Sequence, residues 1–283
     1  MTWRSIIGVV AAVSALSMAC GGRTTAATQK TPAAFDATKS DAKAVAAIDA
    51  MHKALGGADA WGKAKQISWE MKYTLKGEMK VWIKHAWDKW NGRHRFESVD
   101  MKSHKAALSA NEPKLRKWSV AMHDLIDTGK RGYGEHAGKP IANDDVKRFV
   151  KTATKHWKSN HYQLAFHYKA KDPGVVLKHV GELKERDEIC KGGCQTVKVT
   201  FADGVGEDTY YININNTTKM PDLVEKQAAS GRLGFILSDW STVGGMKFPG
   251  KLVNIGLKEE VFTISNVKVA DPDDFLYVPR ARY

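Results

Sequence analysis

Ten histidines and three cysteines are the residues of this chain best suited to metal or redox chemistry. His156 and His161 stand five apart, so a helix does not stack them as it would an i, i+4 pair. His85 and His94 flank a hairpin expected at Asn91-Gly92 and would face each other across it. No carboxylate completes an H-E-x-x-H set around either pair, so the spacing predicts no metal site. His85 reads instead as a partly buried polar residue on a strand face. Gly57-Ala58-Asp59-Ala60-Trp61-Gly62-Lys63 approaches a phosphate-binding loop. Ala64, however, stands where Ser or Thr would touch magnesium, and a helix rather than a strand precedes it, so the segment reads as a helix end and turn. There is no G-x-S-x-G elbow. Asp271, Asp273 and Asp274 around Pro272 are too closely spaced for a calcium loop. Paired-carboxylate hydrolysis needs two positioned acids, and 31 acidic residues nominate no pair. The sequence therefore predicts no catalytic residue and no cofactor.

The cysteines carry more information. Cys190 and Cys194 flank Lys191-Gly192-Gly193, a three-residue turn across which their side chains can meet in a disulfide. A C-x-x-x-C spacing without a second pair argues against a redox or zinc motif. Cys20 is left over. It follows a short start bearing Arg4 and an uncharged Ile6 to Ala19 stretch, which has the length of a signal-peptide core and falls short of the roughly 20 residues a spanning helix needs. A small residue, then Cys20, then Gly21-Gly22 resembles a bacterial lipobox, with Ser17 where Leu is usual and Leu16 one step earlier. Ser17-Met18-Ala19 also fits an ordinary cleavage site. An odd cysteine in an exported chain is a free thiol, an intermolecular partner or a modified one. Lipid attachment at Cys20 is the expectation, with residues 1–19 as signal peptide and 20–40 as lipidated cysteine and flexible tether.

The elements that position the rest follow from periodicity. Ser40 to Leu55 is expected to be a helix capped by Ser40, with Val45, Ile48, Met51 and Leu55 on one stripe and Gly56-Gly57 ending it. Ile67 to Leu75 alternates as a strand, with Ile67, Trp69, Met71, Tyr73 and Leu75 on one face. Glu78 to Trp87 alternates again, followed by Arg93 to Met101, Trp118 to Ile126 and Arg131 to Glu135. A second helix is expected from Asn143, as cap, to about Lys158, extending less regularly to Tyr168 and stopped by Asp172-Pro173-Gly174. Val175–Gly181, Thr196–Phe201, Thr209–Ile214, Asp222–Ala228, Leu233–Asp239, Lys251–Leu257 and Glu260–Val267 complete a meander of antiparallel hairpins. Two helices with apolar stripes must bury them, and the concave face of one curved sheet accepts both.

Composition limits the partners. An apolar content of 43% supports a substantial core, and the formal charge is +13. In an exported chain that charge points away from nucleic acid and towards anionic headgroups, lipopolysaccharide or cell-wall polymers. It concentrates from Lys80 to Lys117, in Lys84, Lys89, Arg93, Arg95, Lys102, Lys105, Lys114, Arg116 and Lys117. A solvated basic face is the plain alternative.

Several stretches carry a family resemblance: Ala54-Leu-Gly-Gly-Ala-Asp-Ala-Trp61, Asp172-Pro-Gly-Val-Val-Leu177 with Gly181-Glu182, Thr209-Tyr-Tyr-Ile-Asn-Ile214, Ser238-Asp-Trp-Ser-Thr-Val-Gly-Gly-Met-Lys-Phe-Pro249 and Phe262-Thr-Ile-Ser-Asn-Val267. Together they resemble the LolA/LolB-like superfamily of outer-membrane lipoprotein-sorting proteins over roughly residues 42 to 278. The resemblance implies a mainly antiparallel β fold with two helices: an incomplete (half) β-barrel of about eleven strands wrapped around them, forming a single domain over 41–283. It also implies an apolar cavity for acyl chains, and the absence of an inner-membrane retention Asp after Cys20 leans by the same analogy towards the outer membrane. Trp69, Met71, Tyr73, Val81, Ile83 and Trp87 share the apolar faces of adjacent strands, and either line that cavity or fill the core beneath the helices. Three functions stay open: a lipid or hydrophobic-ligand binder, a structural or interaction lipoprotein with a packed interior, and, less favoured, a periplasmic hydrolase.

Overall fold

The structure is a computed structural model that describes residues 34–99, 117–123, 131–136, 139–186, 189–202, 208–229 and 231–278. The expected signal peptide, Cys20 and most of the tether lie outside the described residues.

The first helix, α1 (Ala42–Ala54), starts at Asp41, whose carboxylate accepts the Lys43 N–H at 2.8 Å. Ser40 was expected to cap it; its hydroxyl instead accepts the Leu177 N–H at 2.9 Å, tying the chain to the sheet. Ala44, Ala47, Ile48 and Met51 of α1 are buried. The helix ends at Gly56, where φ is +108° and an added Cβ would stand 1.9 Å from the Gly245 carbonyl oxygen, so only glycine fits. A short helix, α2 (Ala58–Lys63), occupies the loop-like sequence that follows.

Among the described residues fifteen strands follow. The first six are β1 (Gln66–Leu75), β2 (Glu78–Asp88), β3 (Arg93–Val99), β4 (Lys117–His123), β5 (Arg131–His136) and β6 (Lys139–Pro140). After helix α3 (Asn143–Ala165) come β7 (Val175–Leu183), β8 (Cys194–Phe201), β9 (Tyr210–Asn215), β10 (Pro221–Ala228) and β11 (Gly231–Ser238). The last are β12 (Ser241–Val243), β13 (Met246–Phe248), β14 (Lys251–Asn254) and β15 (Glu260–Ala270). Thirteen of them make one sheet in the order β6-β5-β4-β3-β2-β1-β15-β14-β11-β10-β9-β8-β7. Its neighbours pair antiparallel. β6 and β7 stand at the two edges and do not pair, so the sheet is open rather than closed into a barrel. This is the mainly antiparallel, incomplete-barrel architecture expected; the sheet adds β6 to the twelve strands read from the sequence, against about eleven implied by the resemblance.

α3 runs beyond Lys158 to Ala165 and continues as a 3-10 turn over Phe166–Lys171. Its first helical residue is Asn143, with Ala142 in the capping position and no side-chain cap bond. The N-terminal half packs Val146, Val150 and Ala153 against Ile83, Phe96, Val120 and Met122 of β2–β4. The larger core joins α1, the end of α3, and residues of β1, β7, β8 and β9.

One hairpin, β12–β13, stands apart from the large sheet. Met246 and Phe248 are wholly buried, and the Lys247 N–H donates to the Leu55 carbonyl at 2.9 Å. The Tyr168 hydroxyl donates to the same carbonyl at 2.7 Å, pinning hairpin, α1 and the α3 extension together. The sequence suggested only a Gly244-Gly245 turn here, because three-residue strands are too short to show alternation.

Cys190 and Cys194 are joined, with an S–S distance of 2.04 Å, across the expected turn. They pack with Ile189 and Leu223 in a small separate cluster.

Candidate functional site: a cavity under the second half of the long helix

Beyond Ala153, α3 lifts its apolar residues over the other half of the sheet. Trp157, His161, Tyr162 and Phe166 fall at helical spacing and turn towards strands β9, β10, β11, β14 and β15. The space between holds a cavity of about 830 Å³. Its sheet side is mostly apolar, in Val224, Leu233, Phe235, Leu237, Leu252 and Phe262, with Tyr210, Lys226 and Glu260 beside them. Period-two spacing puts 233, 235 and 237 on one face of β11. The register then builds rows across strands: Val224 faces Phe235, and Leu237, Leu252 and Phe262 stand side by side on β11, β14 and β15. Leu233 is 43% exposed and stands at the rim, with Leu257, also exposed, in the turn after β14.

The helix side is aromatic and polar. The His161 ring stacks on Trp157 at 4.4 Å, and its Nδ1 lies 2.6 Å from the Trp157 carbonyl. Tyr162 lies parallel to Tyr210 at 5.6 Å between ring centres. Burial, helped by the nearby Lys169 charge, pushes His161 down to about 3. Burial and the neighbouring His52 push His167 down to about 3 as well. Burial, with Asp172 and Asp208 nearby, raises Tyr162 to about 12. At neutral pH these wall residues are therefore uncharged, which suits an apolar guest. Charge is confined to the rim. There Lys226 pairs with Asp208 at 2.8 Å and Lys169 pairs with Asp172, while Lys155 and Lys158 are exposed.

None of the six side chains expected to line a cavity lines this one. Trp69, Met71, Ile83 and Trp87 are buried, and Val81 packs half-buried against the cluster under the first half of α3. Trp69 stacks on His85 at 4.4 Å, and Trp87 meets Trp157 and His161 edge-on. Tyr73 comes nearest: it pairs in register with Phe262, and its ring stacks on that wall residue at 4.9 Å. The alternation identified the inner face correctly. It could not say that α3 and a cluster of aromatic rings fill this half of it.

The histidines that flank the β2–β3 hairpin do meet. His85 Nδ1 is 3.0 Å from His94 Nε2, and Asn160 Nδ2 of α3 is 3.0 Å from His85 Nε2. With the amide so oriented, Asn160 donates to His85 and His85 donates to His94. His94 then holds its own proton on Nδ1, which has no partner. Burial drives both imidazoles well below their usual range, so the chain is neutral and acts as a buried polar staple between helix and sheet. Among the described residues, Cys190, Cys194 and Asp222 form a group with metal-ligand reach, and the disulfide occupies both sulfurs.

The basic stretch expected from Lys80 to Lys117 is largely neutralised where it is described. Lys80 pairs with Glu78, Lys84 with Glu70, Arg93 with Asp88 and Asp274, and Arg95 with Glu97. Lys89 lies 3.7 Å over the Trp61 ring, and burial lowers it to about 8. Lys102, Lys105, Lys114 and Arg116 lie outside the described residues.

The course of the chain is similar to that of several solved proteins. A DUF1329 family protein from Desulfovibrio piger matches over 83% of this chain and 97% of its own, at 11% identity and a TM-score of 0.45. A LolA superfamily protein from Nitrosomonas europaea matches over 83% and 97%, at 11% identity and a TM-score of 0.44. An outer membrane lipoprotein-sorting protein domain from Vibrio parahaemolyticus matches over 83% and 96%, at 7% identity and a TM-score of 0.40. No protein-family model matches the chain, and no curated protein matches it in sequence. Fold likeness of this kind does not carry activity with it.

Proposed function

We propose that this protein is a binder of hydrophobic ligands at the cell envelope, accepting an acyl chain or similar apolar group between α3 and the sheet, for holding or for transfer. The observation that supports the reading is the cavity. At about 830 Å³ it lies within the size of small-molecule sites. Its sheet side offers six apolar side chains, and its buried histidines are neutral. Each methylene that enters contributes about 0.8 kcal/mol. The rim leucine Leu233 gives a chain an apolar approach. The proposal is for binding.

Cys20 places the site, in this reading, on the periplasmic side of a membrane, tethered by a lipid. Labelling cells with a palmitate analogue tests that part, with Cys20→Ser as the control. No label on the wild type would remove the anchor while leaving the cavity intact. For the cavity, native mass spectrometry after mild extraction should show a copurified lipid, or the purified protein should take up a fluorescent fatty acid with saturable affinity. Failure of both would favour the packed, structural alternative.

A further inference from the structure

The cavity has two unlike sides. Its sheet side is mostly hydrocarbon, with Tyr210, Lys226 and Glu260 among it, whereas its helix side carries Lys155, Lys158, Ser159, Gln163 and His167. Four lysines line the cavity against two carboxylates. Two of those lysines are answered: Lys169 by Asp172 and Lys226 by Asp208. Lys155 and Lys158 are exposed and have no ion partner among the described residues. They stand three apart on one helix, a spacing at which like charges repel. Earlier in the same helix Lys147 pairs with Asp144 and Arg148 with Asp145, while Lys151, which does not line the cavity, is exposed with no ion partner among the described residues. Of the helix's unmatched cations, Lys155 and Lys158 are the two on the cavity wall. Below them, Trp157 Nε1, Gln163 Oε1 and His167 Nε2 are buried and lack hydrogen-bond partners. Unpaired buried polar atoms are costly, and these three leave the helix side of the cavity able to accept a polar group.

Resting on the cavity reading above, we infer that the ligand is an anionic amphiphile, with its chain against β10, β11, β14 and β15 and its phosphate or carboxylate head against Lys155 and Lys158. The polar linkage beneath the head would lie along the Gln163 side of the wall. Lysine suits such a head as a mobile point charge on a long stem. Both residues are exposed at the rim, so the attraction is screened by salt.

The test compares three twelve-carbon probes on the full mature chain: laurate, dodecyl phosphate and uncharged monolauroylglycerol. The inference predicts that at least one anion binds ten-fold or more tightly than the neutral probe at low salt, with the gap narrowing at high salt. The double variant Lys155→Gln/Lys158→Gln should erase that gap while keeping affinity for monolauroylglycerol. Glutamine preserves helix propensity, and an unchanged thermal melt confirms folding. Lys178→Gln/Lys198→Gln, the same charge change on β7 and β8 away from the cavity, should leave the preference intact. Which anion wins identifies the head. Equal binding of charged and neutral probes overturns the inference alone, as does a preference that survives the Lys155/Lys158 change or is lost equally in the control pair. No binding of any probe overturns both the inference and the cavity reading beneath it.

Discussion

Five histidines, His52, His85, His94, His161 and His167, are buried and held below their ordinary range by burial. Unfolded, each titrates near 6.5. Between that value and the depressed folded value the unfolded state binds more protons, so stability rises with pH there. It is fully present above about 6.5 and is lost as pH falls, by about 1.4 kcal/mol per pH unit for each histidine still neutral in the fold. Thermal melts from pH 7.5 to 4.5 should therefore show a steep drop beginning near 6.5. A flat profile would mean that these side chains are not buried neutral. The pairing of His85 with His94 was legible from their places on either side of Asn91-Gly92. Asn160 as the third member was not, because nothing local in the sequence says which turn of α3 will lie over that hairpin.

At the scale of elements, two joints can be tested separately from the cavity. Gly56 closes α1 against the β12–β13 hairpin, and a side chain there meets the Gly245 carbonyl as well as an unfavourable φ. Gly56→Ala should cost at least about 1 kcal/mol, read by urea titration. An unchanged midpoint would show that the hairpin does not seat as described. The Cys190–Cys194 bridge closes a very short loop, and loop-closure entropy assigns such a bridge about 2 kcal/mol. Replacing both cysteines with serine should lower stability by that order and leave ligand affinity alone, since neither lines the cavity. The strands themselves were readable: Ile67 to Leu75 and Leu233 to Ser238 alternate, and the structure keeps both. The end of α3 was harder. Trp157, His161, Tyr162 and Phe166 carry the stripe onward, but histidine and tyrosine dilute the apolar signal that marks a buried face.

For the whole molecule, the long helix divides the sheet. Its first half seals β2–β5, and Trp69, Met71, Ile83 and Trp87 become core. Its second half leaves a gap over β9–β11, β14 and β15. Alternation predicts which face is inner and is silent on how much of it a helix will cover. That is why the fold could be read from sequence and the cavity over β9–β11, β14 and β15 could not. The division makes a paired prediction. Met71→Ala should destabilise by about 2–5 kcal/mol, as buried truncations do, without weakening the intrinsic affinity for a chain. A bound chain should in turn raise stability by mass action, by about 2.7 kcal/mol at one hundred times its Kd.

The most direct test of the central claim fills the gap from the sheet side. Val224 faces Phe235 in the cavity wall and is only partly buried, so Val224→Trp would project bulk into the empty volume with little disturbance of the sheet. Titration with a fluorescent fatty acid should then show affinity reduced ten-fold or more against wild type, with the melting temperature held or raised. Undiminished uptake by Val224→Trp would contradict the claim that the chain binds between α3 and the sheet.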